Sequence, residues 1–259
     1  MSHIQTHADK GILEIQVNRP EKMNALSPEM FADIALALGQ LDRDPELRVG
    51  LIHAVGPHFS AGVELDRWGP IFAKGQNPPI PEGGLDPFAL HGPRCRKPLV
   101  MAVQGYCYTW GVELMLTTDV RVAAEDTRFG MLEVKRGIYP CGGATIRLPQ
   151  QMGWGAAQRY LLTGENWTAE ESLHTGLVQA VVPAGEQYAQ ARDLAERIAK
   201  AAPLGVQAVL KSSRLVLSHG EEYAAGHVMD DMPAVMASED AKEGVQSFIE
   251  RREAVFHGR

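Results

Sequence analysis

Leu13, Ile15 and Val17 alternate with polar neighbours, a period of two that predicts a half-buried strand near the start of the chain. Asn18-Arg19-Pro20 ends it. Ser27-Pro28-Glu29 then reads as a helix start, with a serine N-cap, proline at the first helical position and an acid in the first turn. Met30, Phe31, Ile34, Leu38 and Leu41 fall on one face of that helix. Apolar runs over 49–55 and, after Pro98, over 99–103 predict two further strands. Strand, helix, strand in this order predicts crossover units and a layered α/β domain.

From Trp68 to Pro98 the periodicity fails. Prolines stand at 70, 78, 79, 81, 87, 93 and 98 among several glycines, and a segment of this length inside a domain is expected to be a lid or a mobile loop. The last third of the chain reads as helical. Thr168-Ala169-Glu170-Glu171 is a capping box with Gly176 as the stop, and 177–182 is a short apolar strand closed by Pro183. Ala191, Leu194, Ala195, Ile198 and Ala201 form another apolar stripe. From Pro203 onward the pattern predicts three more helices, the last over 239–256.

Composition narrows the class. A chain of 259 residues is at the upper end of what one hydrophobic core serves, and 45% apolar with 22% charged residues is ordinary for a globular protein. No window has the uncharged length of a membrane span, and the first ten residues lack both the apolar core of a signal peptide and the Arg-rich helix of a transit peptide. Cys95, Cys107 and Cys141 are too few for a disulfide framework, which predicts a reduced, cytoplasmic protein with no membrane partner. A net charge of −7 argues against a nucleic-acid partner, although a few local Arg and Lys can still hold a phosphate.

The chemistry is narrowed first by absences. The sequence has no G-x-S-x-G elbow, no H-E-x-x-H, no phosphate-binding G-x-x-x-x-G-K-[ST] and no dinucleotide fingerprint. Nine scattered histidines lack metal-ligand spacing, so no metal is expected.

Two segments join small residues to acids just after apolar strands. In Gly56 to Leu65, small residues would let a ligand approach backbone N–H groups that can bind an oxyanion, or would simply make a tight strand-to-helix turn. In Gly105 to Leu114, Glu113 lies in an apolar stretch that would raise its pKa, or it serves as a helix-start acid. Glu133 follows in Phe129-Gly130-Met131-Leu132-Glu133, a second acid in an apolar context. Two such carboxyls could divide acid and base roles.

Taken together, these residues resemble the crotonase (enoyl-CoA hydratase/isomerase) superfamily over nearly the whole chain. Asn18-Arg19-Pro20 with Asn24-Ala25-Leu26 is similar to its opening motif, and Phe59 to Leu65 to its first oxyanion segment, with Glu64 in place of the common Asp. Gly105 to Glu113 resembles the second segment, and Phe129-Gly130 with Glu133, then Gly137-Ile138, Pro140 and Gly142-Gly143, the acid motif after it. Leu162-Thr163-Gly164, Ala169 and Gly176 to Pro183 look like its helical connection. Ser238-Glu239-Asp240, Glu243-Gly244 and Phe248 to Arg252 look like its C-terminus.

The resemblance implies an α/β fold: a spiral of β-β-α turns over 1–200 carrying an acyl-CoA site, then a helical trimerisation region over 201–259. It implies a homotrimer or dimer of trimers. It implies a thioester oxygen held by the backbone N–H groups of Val63 and Trp110, and coenzyme A held at Ala61, Val63 and Leu65. Phe248 and Arg251 would reach the coenzyme A of a neighbouring subunit, with Arg251 where lysine is common.

Glu113 and Glu133 match the acids of hydratases, which implies hydration of a 2-enoyl-CoA; isomerisation, thioester or C–C hydrolysis, and acyl-CoA binding without turnover are the alternatives. Two residues depart from the pattern. Trp110 stands where the family has glycine, and Cys141 where a glycine follows the proline. With Tyr108 and Tyr139, Trp110 and Cys141 would shape the acyl pocket; an indole facing the cavity would favour short, cyclic or aromatic acyl groups, and one turned into the core would merely pack.

Overall fold

The computed structural model describes residues 2–259. Strands β1 (Ile4–Asp9) and β2 (Ile12–Val17) form an antiparallel hairpin whose two turn residues, Lys10 and Gly11, both take positive φ (49° and 78°), as a tight hairpin turn requires. Helix α1 (Pro28–Arg43) begins where the serine cap predicts: Ser27 accepts from Met30 N–H, and all five residues of the predicted apolar face are buried. Strand β3 (Val49–Ala54) returns parallel to β2.

Helix α2 (Leu65–Phe72) occupies the first part of the proline-rich segment and buries Trp68 against Phe31. The rest of that segment has no regular element, yet it is tied to the body of the protein. Asp86 accepts from the N–H groups of Phe88, Leu90 and His91, while Phe88 and Cys95 join the core. An aspartate that collects three backbone N–H groups gives the loop the bonds that a helix or sheet would otherwise supply.

Strands β4 (Leu99–Val103), β5 (Tyr106–Tyr108), helix α3 (Trp110–Met115), β6 (Val120–Ala124) and β7 (Arg128–Gly130) then repeat one step, in which the chain leaves the large sheet and enters a small one. Helices α4 (Ala144–Met152) and α5 (Trp154–Thr163) follow, then β8 (Asn166–Thr168), α6 (Ala169–His174) and β9 (Ala180–Val182). The large sheet has the order β1-β2-β3-β4-β6-β9, parallel except for the hairpin, and the small sheet is β5-β7-β8. The predicted strand over 177–182 is confined to its last three residues; Leu177 and Val178 are buried ahead of it. The Thr168 capping box forms as predicted.

Both faces of the large sheet are covered. Ile12, Val49, Leu51, Val100, Ala102 and Val122 face helix α7 (Gln187–Lys200), and Leu13, Ile15, Ile52, Met101 and Val103 face the main core. On α7 the contact residues are Ala191, Ala195 and Ala199, spaced by four, so small side chains bring the helix close to the sheet.

Beyond α7 the chain forms four helices where the pattern predicts three: α8 (Pro203–His219), α9 (Glu221–His227), α10 (Met232–Ala237) and α11 (Glu239–Glu250). Helix α11 stops six residues before the predicted end, because Arg251 turns left-handed (φ 56°). Apolar periodicity continues past that residue and so does not mark the stop.

The close approach of α7 makes a specific prediction. Ala195→Leu is expected to destabilise the protein by about 1–3 kcal/mol through overpacking. Urea unfolding reads this directly, and an unchanged midpoint would contradict the packing.

Candidate active site

The residues at 19–26 build the floor on which the site rests. Buried Asn24 donates to the carbonyls of Val55 and His58, at 2.9 and 2.8 Å, and accepts from Arg19 N–H. Ser60 Oγ donates to Asn24 O, Ala61 N–H to Met23 O and Leu26 N–H to Gly62 O. Glu64 pairs with Arg19 at 2.9 Å, which holds its carboxyl below the usual range. The acid in this first segment is therefore a structural anchor. Isolated bridges Leu26–Val63 and Ser60–Cys107 lay the segment between the stretch before α1 and β5.

Helix α3 starts at the end of β5, and the transition is strained. Thr109 takes φ 50° and ψ −109°, a conformation normally left to glycine, at a cost of about 1–3 kcal/mol for a non-glycine residue. Its N–H donates to Gly130 O and its carbonyl accepts from Glu113 N–H, so both neighbours hold it there. Trp110 takes helical backbone after it. The strain thus falls on Thr109.

Glu113, one turn into α3, points into the interior and is 5% exposed. Its Oε1 accepts from the backbone N–H groups of Gly142 (2.7 Å) and Ala144 (3.2 Å). A Cβ on Gly142 would overlap the carboxylate, so any side chain at 142 would push Glu113 out of this position. Glu133 opens the turn after β7; it is buried, and its Oε2 has no partner among the described residues. Burial pushes Glu113 up to about 8, helped by the nearby charge of Glu133 and opposed by its two backbone donors; burial pushes Glu133 up to about 7.

These residues enclose one cavity of about 150 Å³. Ala61, Val63, Leu65, Trp110, Glu113, Glu133, Tyr139 and Cys141 all line it. Neither Val63 N–H nor Trp110 N–H donates to any acceptor among the described residues. The cavity adjoins a wider one of about 590 Å³, which shares Leu65, Phe72, Ile138, Tyr139 and Cys141 and extends to Gly75, Gln76 and Asn77. Part of the proline-rich segment therefore walls the approach.

One residue expected in the acyl pocket lies elsewhere. Tyr108 does not line the cavity: its hydroxyl accepts from Asn166 at 2.9 Å and its ring stacks on Tyr106, because β5 directs it into the small sheet. Phe248 and Arg251, expected to serve a neighbouring subunit, stand at the end of α11 away from this chain's own cavity, with Phe248 85% exposed. Tyr139 contributes from the rim with most of its ring in solvent, and Trp110 is packed against Phe59 in the core. The expected aromatic wall of three residues is not assembled. Arg136 also lines the cavity and was not singled out from sequence. Arg136 is three residues after Glu133, within the same single turn, and that spacing was its available signal.

A parallel sheet with a small second sheet, free backbone donors and a buried acid pair in one cavity defines an α/β enzyme scaffold of the crotonase fold. The chain belongs to the enoyl-CoA hydratase/isomerase family: the family model matches residues 7–259. It is 37% identical over 254 residues to the enoyl-CoA hydratase EchA19 of Mycobacterium tuberculosis, covering 95% of this chain and 93% of the relative. A carnitinyl-CoA dehydratase of Salmonella heidelberg is 35% identical over 257 residues, covering 96% and 95%. A crystal structure of a probable enoyl-CoA hydratase/isomerase from Mycobacterium abscessus superposes with a TM-score of 0.96 at 41% identity, covering 100% and 99% of the two chains. The chain is thus a crotonase-type acyl-CoA enzyme. Among the described residues, no helix is long and apolar enough to cross a membrane.

The raised carboxyl pKa makes stability depend on pH. For Glu113 the folded value, about 8, lies above the ordinary 4.5. Its protonated form therefore favours folding below pH 4.5, and that contribution is lost as pH rises through about 8. Glu113→Gln, which keeps an oxygen for the Gly142 and Ala144 donors, is expected to match the wild type near pH 4.5 and to exceed it in stability above pH 8. Denaturant unfolding at both pH values checks this; an equal difference at both would refute the burial argument.

Proposed function

We propose that the protein hydrates a 2-enoyl-CoA to a 3-hydroxyacyl-CoA. The observation that carries this reading is the pair Glu113 and Glu133, two buried carboxyls with raised pKa lining one cavity. A proton is then both available and removable near neutral pH, which is what general acid–base work needs. The names of the two curated relatives, a hydratase and a dehydratase, support the same reversible chemistry.

In this reading the thioester oxygen accepts from Val63 and Trp110 N–H. Glu113 takes a proton from water as its oxygen bonds to the β-carbon. The C=C electrons move onto the thioester oxygen as an enolate, and Glu133, protonated at the outset, gives its proton to the α-carbon. The donors are fixed before reaction, so they stabilise charge that appears only along the path. Ala61, Val63 and Leu65 would receive coenzyme A, with its pantetheine arm in the wider outer cavity. The inner 150 Å³ is small beside the roughly 300–1,000 Å³ of drug-sized ligand sites, which favours a short acyl group. Coenzyme A enters as part of the substrate, with no separate cofactor.

Residues 201–259 would form the oligomerisation region of a trimer or dimer of trimers. Met229, Met232, Met236, Phe248 and Ile249 are all exposed in the single chain, and apolar faces of this kind call for burial. Assembly would also carry Phe248 and Arg251 of one subunit toward the coenzyme A of another.

Glu113→Gln and Glu133→Gln are each expected to lower crotonyl-CoA hydration by on the order of 10²–10⁴. Wild-type turnover in both variants would remove the role assignment. Light scattering at micromolar concentration is expected to give the mass of three or six chains, and a monomer would contradict the assembly.

A further inference from the structure

The cavity holds a polar atom that the proposed hydration leaves unused. Thr109 Oγ1 is shielded from solvent and has no hydrogen-bond partner among the described residues, and Thr109 lines the cavity. Buried hydroxyls in native proteins are nearly always paired, so an orphan beside an active-site cavity calls for a partner that arrives with the ligand.

Its position indicates which ligand atom that is. Thr109 immediately precedes Trp110. Its hydroxyl packs on Gly62, which immediately precedes Val63: a Cβ added to Gly62 would sit 3.0 Å from Oγ1. Thr109 and the Gly62 on which its hydroxyl packs are thus the chain neighbours of the two residues whose free N–H groups the hydration reading assigns to the thioester oxygen. The left-handed backbone of Thr109 is what brings the side chain there, and a strained conformation held by bonds on both sides is a common mark of a functional position.

We infer that Thr109 is a third donor of the oxyanion hole, its Oγ1–H directed at the thioester oxygen beside the N–H groups of Val63 and Trp110. This rests on the proposed placement of that oxygen. A hydroxyl can rotate to follow the oxygen as it gains charge, whereas the two backbone donors are fixed. A third donor strengthens enolate stabilisation more than substrate binding, because charge is greatest in the enolate.

The test uses acetoacetyl-CoA, whose enolate absorbs in the ultraviolet and so reports oxyanion stabilisation without any hydration step. Two variants separate the hydroxyl from the backbone. Thr109→Gly is suited to the positive φ and so is expected to fold, but it lacks the hydroxyl; Thr109→Ser keeps it. At one pH, the enolate-to-keto ratio of the bound ligand is expected to fall about tenfold or more in Thr109→Gly and to stay near wild type in Thr109→Ser. An undiminished ratio in Thr109→Gly, or an equal loss in Thr109→Ser, would overturn the inference. Crotonyl-CoA hydration is measured in parallel: its absence alongside the expected absorbance pattern would sink the hydratase reading while leaving the third donor in place.

Discussion

Glu113 places a carboxyl inside an apolar core, and much of the surrounding structure follows from keeping it there. An unpaired carboxylate in that setting is costly, and two backbone N–H groups, from Gly142 and Ala144, offset part of the cost. For them to reach it, the 141–144 segment must cross close to the carboxylate, where a side chain at 142 would displace it. Arg147 on α4 then donates to Ala89 O at 2.9 Å, fixing the Asp86 loop over the same region. One buried group thus links α3, the start of α4 and the proline-rich segment.

The two-sheet step supplies the other half of the site. The large sheet is clamped on both faces, by α7 on one side and the main core on the other, so its strand ends are fixed points. From those ends the chain passes into the small sheet and turns into α3 through the strained Thr109. The 59–65 segment reaches the same place from β3, held by Asn24, Ser60 and the bridges to Leu26 and Cys107. Two residues with free backbone N–H groups, far apart in sequence, therefore line one cavity, beside two carboxyls whose ordinary charge that cavity opposes.

Much of this is visible in the residues themselves. The face of α1, its serine cap and the Thr168 capping box are local patterns, in which each residue's partner lies within a turn, and they form as read. The acid pair and the small-residue segments were legible because apolar neighbours around a carboxyl are a local fact as well. The end of α11 was not, since its apolar periodicity runs past the left-handed Arg251. Nor was the direction of Tyr108, whose neighbours in sequence point to the site while its strand register points it to Asn166.

The sequence by itself determined the class of fold, the strands and caps, the family resemblance and the identity of the two acids, because these rest on local spacing and residue chemistry. Only the tertiary structure decided that Val63 and Trp110 N–H are both free, that Glu64 is tied to Arg19, and that the Thr109 hydroxyl is left without a partner. Whether a buried polar group is paired depends on long-range neighbours brought in by strand register and helix packing. Those neighbours, Gly62 for Thr109 and Gly142 for Glu113, stand 47 and 29 residues away in the chain.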